Sequence, residues 1–366
     1  MDYEPLMKRA LGLAQKAEGR TGHYPLVGAV LVKSGRVISE GYFKRPGEPH
    51  AEFKAIRAAG KNARGATLVL NLEPCCHYGR TPPCTRAVIK AGVKTVVAAM
   101  IDPNPLVSGK GFAQLRNAGI KVITGVLEKE SRVLNRHFLK FITTATPWVI
   151  EKLAATADGK IADRFGDSKW ISSEQSRELA HRLRSKVQVV MVGIGTVLAD
   201  NPRLTARLPG VRRQPRPLVV DEDLRIPLSA KLLKTPAPGG AIIACTGRAS
   251  RKKAAALEKM GATVIATRPD RNGNVNLREL MKKLGGMKVA SVLVEGGSRL
   301  AGSMLELGLV DELMYFYAPK ILADAKALPM LAGSMPRKIG RAILLINPQF
   351  QRVGPDMMLS ALLREI

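Results

Sequence analysis

Five short runs in the second half of the chain constrain its fold most: VQVVMVG from Val187, RPLVVD from Arg216, GGAIIAC from Gly239, GATVIAT from Gly261 and VASVLVEGG from Val289. They are apolar on consecutive positions and rich in β-branched residues, which marks strands buried on both faces rather than on one. Stretches of helical length separate them, and such alternation implies an α/β fold with mainly parallel sheets. The first half repeats the pattern. PLMKRALGLAQKA carries Leu6, Met7, Ala10, Leu11 and Ala14 at helical spacing. VGAVLVK and RVISEGY, split by Ser34-Gly35, read as a strand hairpin. ATLVLNL, VKTVVAAM and IKVITGV follow as strands, with helices expected from His50, from near Pro83, over GFAQLRNAG and over EKESRVLNRHFLKF.

A chain of 366 residues with 46% hydrophobic content suits two buried cores at roughly 150 residues per domain. The charged helix ends near Thr143 and a new strand opens behind Pro147, so the expected domains are 1–144 and 145–366. No apolar run is long enough to cross a bilayer, and MDYEPLMKRA lacks the basic-then-apolar layout of a leader; a soluble, cytoplasmic protein without a membrane partner is expected. Lys and Arg number 58 against 30 acidic residues, a net charge of +28 that suits either nucleic acid or phosphorylated small molecules. The excess is spread along the chain and only 4% of residues are aromatic, which disfavours base-stacking platforms and nucleic acid as the main partner.

The four cysteines, Cys75, Cys76, Cys84 and Cys245, are too few and too clustered for a disulfide framework; in a cytosolic enzyme they point to metal or redox chemistry. His50 opens the helix in EPHAEFKAIRAAG, and Glu52 follows in its first turn. Imidazole and thiolate bind zinc, and three protein ligands leave a fourth position open to water, as in a catalytic site. Singly, His50 reads as a polar helix start and Cys75 as a small buried hydrophobe. Together, His-x-Glu followed by Pro-Cys is the pattern of zinc deaminases, whose glutamate moves protons without binding metal. His50, Cys75 and Cys84 are the expected metal ligands, and Glu52 the expected catalytic residue. Cys76 competes with Cys84 as second thiolate, but adjacent cysteines rarely both reach one tetrahedral ion. Arg80, in the loop between the cysteines, reads as a substrate-phosphate partner or as solvated loop charge.

PHAE, EPCCHYGRTPPC and DPNPLVSGKG resemble the bifunctional deaminase–reductases of riboflavin biosynthesis, over essentially the whole chain and in domain order. The resemblance implies a cytidine-deaminase-like N-terminal domain. It would remove an amino group from 2,5-diamino-6-ribosylamino-4(3H)-pyrimidinone 5′-phosphate, a phosphorylated pyrimidine, with Zn2+ on His50, Cys75 and Cys84 and Glu52 as proton carrier. Two positions depart from the family pattern. Tyr24 stands where the family usually has the Asn of Pro-Asn-Pro, and Phe43 where it usually shows His. Each loses a hydrogen-bonding group from the pocket, and specificity is often built from such bonds. A second reading therefore keeps the reductase and turns the deaminase domain to another aminopyrimidine, or leaves it inactive. A third, a basic RNA-binding zinc deaminase, is disfavoured by the long Cys75–Cys84 loop and the second nucleotide-type domain.

The second half lacks a Gly-x-Gly-x-x-Gly fingerprint: after Gly193 and Gly195 come Val197 and Leu198. VLVEGGSRLAGSML places a glycine pair between strand and helix, where backbone amides make an anion site, with Glu295 at its mouth. KLAATADGKIA, DSKWIS, HRLRS, GIGTVLADNPRLTAR and EGGSRL resemble the family's reductase domain, whose fold is similar to dihydrofolate reductase. The implied activity is hydride transfer from NADPH to C1′ of the ring-opened ribose, giving a ribityl chain. Ala154, Trp170, Thr196 and Asp200 would line the NADPH site, and Gly297, Ser298, Arg299, Leu300, Ala301 and Gly302 would hold its pyrophosphate. Ser168, Arg184, Leu204, Arg207 and Glu295 would contact substrate; the two guanidiniums suit its phosphate. Trp170 reads equally as a nicotinamide stack or core packing, and Asp200 as a proton relay or helix cap. Glu222 follows Val-Asp where the family often has Ser or Thr; a carboxylate repels bound phosphate, so it is left out of the site. Arg248 is the candidate for the 2′-phosphate by position. A homo-oligomer is implied by the resemblance alone.

Overall fold

The computed structural model describes residues 1–366 except 80, 212 and 335–337. The chain folds as two compact units, Met1–Ala145 with Ile366, and Thr146–Glu365. The first contains α1 (Glu4–Gln15), β1 (Gly28–Lys33), β2 (Arg36–Tyr42), α2 (Ala51–Ala59), β3 (Thr67–Leu70), α3 (Cys84–Lys90), β4 (Thr95–Ala98), α4 (Lys110–Asn117), β5 (Lys121–Thr124) and α5 (Glu128–Thr144).

Its sheet has the order β2-β1-β3-β4-β5. β3, β4 and β5 are parallel, but β1 runs antiparallel to both β2 and β3. The sheet is thus mixed where a mainly parallel one is expected. The Ser34-Gly35 connection, both residues at positive φ, leaves no length for a crossover and forces a hairpin. Both faces are covered. Met7, Ala10 and Leu13 of α1 pack on Val30, Val69 and Val97. Ala29, Leu31, Leu68 and Leu70 face Ala51, Ala55, Phe112 and Leu115 on the other side. The apolar runs without alternation are explained by this double coverage.

The second unit contains β6 (Trp148–Thr156), β7 (Lys160–Ala162), α6 (Glu174–Lys186), β8 (Val189–Gly193), α7 (Ile194–Asp200), β9 (Arg216–Val220), β10 (Ile242–Thr246), α8 (Arg251–Lys259), β11 (Thr263–Thr267), α9 (Leu277–Gly286), β12 (Ser291–Glu295), α10 (Ser298–Glu306), β13 (Glu312–Ala318), β14 (Leu328–Pro329), β15 (Ile346–Val353) and β16 (Asp356–Leu362). Nine strands form one sheet in the order β11-β10-β9-β8-β12-β6-β13-β16-β15. It is parallel from β11 to β13, and β16 and β15 close it antiparallel. The five runs that open the sequence reading are β8 to β12. Because β12 returns between β8 and β6, the carboxyl ends of those three strands meet at a topological switch point, where α/β sheets bind ligands.

Candidate functional site

His50 is the N-cap of α2, Cys84 the first residue of α3, and Cys75 lies in the segment after β3. Three elements separated in sequence thereby deliver three ligands to one point. The ligand atoms of His50, Cys75 and Cys84 lie within 4.8 Å of one another. His50 Nδ1 is 3.6 Å from Cys75 Sγ and 3.3 Å from Cys84 Sγ. Tetrahedral zinc, with Zn–S about 2.3 Å and Zn–N about 2.0 Å, sets imidazole and thiolate donors roughly 3.6 Å apart. The donor set and its spacing therefore fit zinc. Thr81 Oγ1 lies 3.3 Å from His50 Nε2, the kind of outer contact that fixes a ligand's tautomer. Cys76 stays out of the cluster; its thiol donates to the Leu106 carbonyl at 3.6 Å.

The electrostatics favour a thiolate at Cys75. The Cys84 thiol, the His50 ring and the Cys84 backbone N–H, 3.4 Å away at the start of α3, hold its pKa low, while burial opposes. The same contact and burial push Cys84 up. Glu52 is 4% exposed, and burial raises its carboxyl pKa. A cavity of about 490 Å³ opens on the cluster and is lined by His50, Glu52, Tyr24, Phe43, Asp102 and Asn104 among others. The Phe43 ring stands edge-on to His50 at 5.4 Å, and Tyr24 edge-on to Phe43 at 6.1 Å. Both departures from the family pattern thus face the cavity. Arg80 lies outside the described residues.

Two acidic residues here escaped the sequence reading. Glu73, 3% exposed, accepts the backbone N–H groups of Asp102 and Gly109 at Oε2 and of Phe112 at Oε1, at 3.1, 2.9 and 3.2 Å. It anchors the segment that brings Asp102, Asn104 and Val107 to the cavity. Burial raises Asp102 to about 7. The available signal was a carboxylate immediately before Pro-Cys and another in DPNP.

In the second unit, Glu295 ends β12 in register with Lys152 on β6. Arg184 of α6 bonds that carboxylate through Nε at 2.9 Å to Oε1 and through Nη2 at 2.5 Å to Oε2, and donates from Nη1 to the Thr205 carbonyl at 3.1 Å. Burial raises the Glu295 pKa, but the Arg184 guanidinium outweighs it and holds the carboxyl low. Burial and the flanking Arg184 and Arg207 push His181 down to about 4, leaving Nδ1 to accept the Arg207 backbone N–H at 3.3 Å. Arg184, Arg207 and Glu295 are therefore brought together. Lys152, which the sequence reading passed over, joins them, with Nζ 5.3 Å from the Phe316 ring centre. Ala154 shares its face of β6, two residues on. Leu204 is buried at φ +56.

Gly296 and Gly297 have φ of +76° and +86°, and Cβ atoms there would lie 3.7 and 3.6 Å from Thr196 Oγ1. Ser298 Oγ, in the first turn of α10, is buried with no hydrogen-bond partner. An open glycine cradle beside an orphaned hydroxyl and a helix start fits a pyrophosphate. Arg299, Leu300 and Ala301 complete that turn. Gly302 has another reason to be small: a Cβ there would meet the Ala332 carbonyl at 2.6 Å. Trp170 is 64% exposed, which overturns its core reading, and it stacks on the Arg177 guanidinium at 4.7 Å. Ser168 is half-buried in the same segment. Asp200 is the last residue of α7, so it caps no helix start, and its carboxylate is 3.8 Å from Lys169 Nζ. Arg248 donates to the Gly273 carbonyl at 2.8 Å.

Comparison with known proteins gives two family matches: the cytidine and deoxycytidylate deaminase zinc-binding region over residues 1–100, and the RibD C-terminal domain over residues 147–359. The riboflavin biosynthesis protein RibD of Aquifex aeolicus is 42% identical over 353 residues, covering 96% of each chain. Its Escherichia coli counterpart is 41% identical over 370 residues, 98% of this chain and 99% of the relative. Among solved structures, Acinetobacter baumannii RibD superposes with a TM-score of 0.89 at 35% identity, and a Thermotoga maritima diaminohydroxyphosphoribosylaminopyrimidine deaminase/5-amino-6-(5-phosphoribosylamino)uracil reductase with 0.85 at 36%. Each of these covers 98% of both chains.

Proposed function

The chain belongs to the RibD family of bifunctional riboflavin-biosynthesis enzymes, a zinc-binding cytidine-deaminase-like domain followed by an NADPH-using reductase domain, and from this we propose how its own residues divide the work. Residues 1–144 deaminate 2,5-diamino-6-ribosylamino-4(3H)-pyrimidinone 5′-phosphate, and residues 145–366 reduce the ribosyl group of the product. The observation that carries the first half is the meeting of His50, Cys75 and Cys84 beside the buried carboxylate of Glu52.

His50, Cys75 and Cys84 hold zinc. When bound, the metal supplies the Lewis acidity that makes water nucleophilic near neutral pH. Glu52 takes a proton from the attacking water at a carboxylate oxygen and returns it to the departing amine nitrogen, so that water replaces the amino group and ammonia leaves. Its burial keeps bulk water from competing for that proton. Asp102 and Asn104, which line the cavity, accept and donate hydrogen bonds at the ring edge, and Arg80 takes the phosphate.

In the reductase, NADPH supplies the hydride. Gly297 to Gly302 and Thr196 seat its pyrophosphate, with Ala154, Trp170 and Asp200 along the rest of the cofactor. Arg184, Arg207, Ser168, Leu204 and Glu295 receive the substrate. The bond between Arg184 and Glu295 holds both at the carboxyl end of β12, and Lys152 beside them can donate a proton to the ribose oxygen released on ring opening.

No helix among the described residues is long and apolar enough to cross a membrane, which supports a cytoplasmic site of action. A homo-oligomer is proposed from the family resemblance, and light scattering on the purified protein reads it directly. The aromatic wall of Tyr24 and Phe43 favours one second reading, a deaminase turned to another aminopyrimidine. Ammonia release from the diaminopyrimidinone ribosyl phosphate, without NADPH, decides between them. Release that disappears in Glu52→Ala is expected. NADPH oxidation on the deaminated product, with no ammonia release by the zinc-loaded protein, would leave only the second reading.

A further inference from the structure

Strand order sets where the adenosine end of a dinucleotide falls. The glycine cradle follows β12, Thr196 follows β8, and β9 is the next strand outward. Gly193 at the end of β8 is in register with Val220 at the end of β9, so Glu222 stands two residues beyond, on the carboxyl edge where such sheets bind ligands. Its position is fixed by Thr246 on β10, whose N–H and Oγ1 donate to the Glu222 carbonyl at 3.0 and 3.1 Å.

The charge at this point is negative. Asp221 is fully buried and its Oδ2 accepts the Ile226 N–H at 2.8 Å. The Glu222 side chain is 24% exposed. One guanidinium answers both carboxylates: Arg225 Nε is 3.6 Å from Asp221 Oδ1, and its Nη2 is 3.5 Å from Glu222 Oε2. The next cation along this edge, Arg248, is engaged with the Gly273 carbonyl. β9 lies two strands from β12, roughly 10 Å across the sheet, and a carboxylate there can accept a hydrogen bond from the 2′-hydroxyl of a ribose carried past Thr196 from the cradle. A 2′-phosphate at the same place meets like charge and has to draw Arg225 away from two carboxylates.

We propose that Glu222 sets the nucleotide preference of the reductase by accepting the adenosine 2′-hydroxyl, so that NADH binds at least as tightly as NADPH. This rests on reading the second unit as a nicotinamide-nucleotide reductase. The test is direct binding to the full-length protein without substrate, titrating NADH and NADPH against protein fluorescence, with 5′-AMP and 2′,5′-ADP as competitors. Wild type is expected to favour NADH or to be indifferent. Glu222→Ser is expected to tighten NADPH and 2′,5′-ADP by about tenfold while NADH weakens severalfold. Asp223→Ser removes an exposed neighbouring charge and should leave the ratio unchanged; an equal response there would mean a general field and overturn the contact. A wild-type preference for NADPH that Glu222→Ser does not alter would overturn the proposal and leave the reductase reading intact. Binding of neither dinucleotide would overturn both.

Discussion

Glu151 and Lys152 are neighbours on β6 and point to opposite faces of the sheet. Lys152 faces the Glu295 carboxylate, and Glu151 faces the core beside Val149 and Leu153. The Glu151 side chain accepts the Tyr315 hydroxyl at 2.5 Å through Oε1, while Oε2 is buried without a partner. Burial raises its pKa to about 8, and the Tyr315 bond only partly offsets this. An unfolded glutamate titrates near 4.3, so between about 4.3 and 8 the folded chain holds a proton that the unfolded chain has lost. The protonated form's contribution to stability is complete below the unfolded value and is lost as pH rises through about 8. Glu151→Gln keeps the shape and removes the titration. Its stability relative to wild type should grow across that window, by a few kcal/mol at its upper end. Urea unfolding at pH 5 and pH 9 measures this, and parallel curves for the two proteins would refute it.

Among the elements that supply no ligand, α4 bears directly on the metal cluster. Gly111 in its first turn lies against the segment between β3 and Cys75, and a Cβ there would sit 2.3 Å from the Pro74 carbonyl and 3.0 Å from Glu73 Oε1. Backbone cannot yield to that contact as a side-chain tip can. Gly111→Ala is expected to displace Pro74 and Cys75, lowering zinc content and ammonia release and costing about 1–3 kcal/mol. Zinc stoichiometry with a thermal melt checks both, and full metal content would argue against the coupling. The sequence makes such strands legible because double burial leaves unbroken apolar runs such as VVMVG and SVLVE. It does not announce β13 to β16, whose exposed and antiparallel partners break the pattern: β15 exposes six consecutive residues, Asn347 to Arg352. His50, Glu52, Cys75 and Cys84 are legible as residue types at telling spacings. Lys152 is not, because Glu295 reaches it only through the β12–β6 pairing of strands far apart in sequence, nor is Glu73, whose partners are backbone N–H groups of Asp102, Gly109 and Phe112 beyond β4.

On the scale of the whole molecule, two chemistries draw on different residues of different units. The cluster atoms belong to His50, Cys75 and Cys84, all before Ala145, whereas the glycine cradle and the Arg184–Glu295 pair lie between Thr146 and Glu365. Each unit has its own buried core, so neither set of side chains needs the other's packing to hold its place. Metal removal should therefore separate the activities. Chelation with 1,10-phenanthroline is expected to lower ammonia release by about a hundredfold or more, the scale on which a metal-activated water matters. NADPH or NADH oxidation on the pre-deaminated substrate should stay within about twofold, since all three ligands of the metal cluster belong to the other unit. Returning zinc restores the first activity and, at about a thousandfold excess over its Kd, stabilises the metal-bound unit by about 4 kcal/mol. Hydrogen exchange localises that gain: amides of α2, α3 and the Glu73–Cys75 segment become protected, while those of β8 to β12 do not. A chelator that silences both reactions together would mean that the reductase also depends on the metal, and the division of labour by unit would fail.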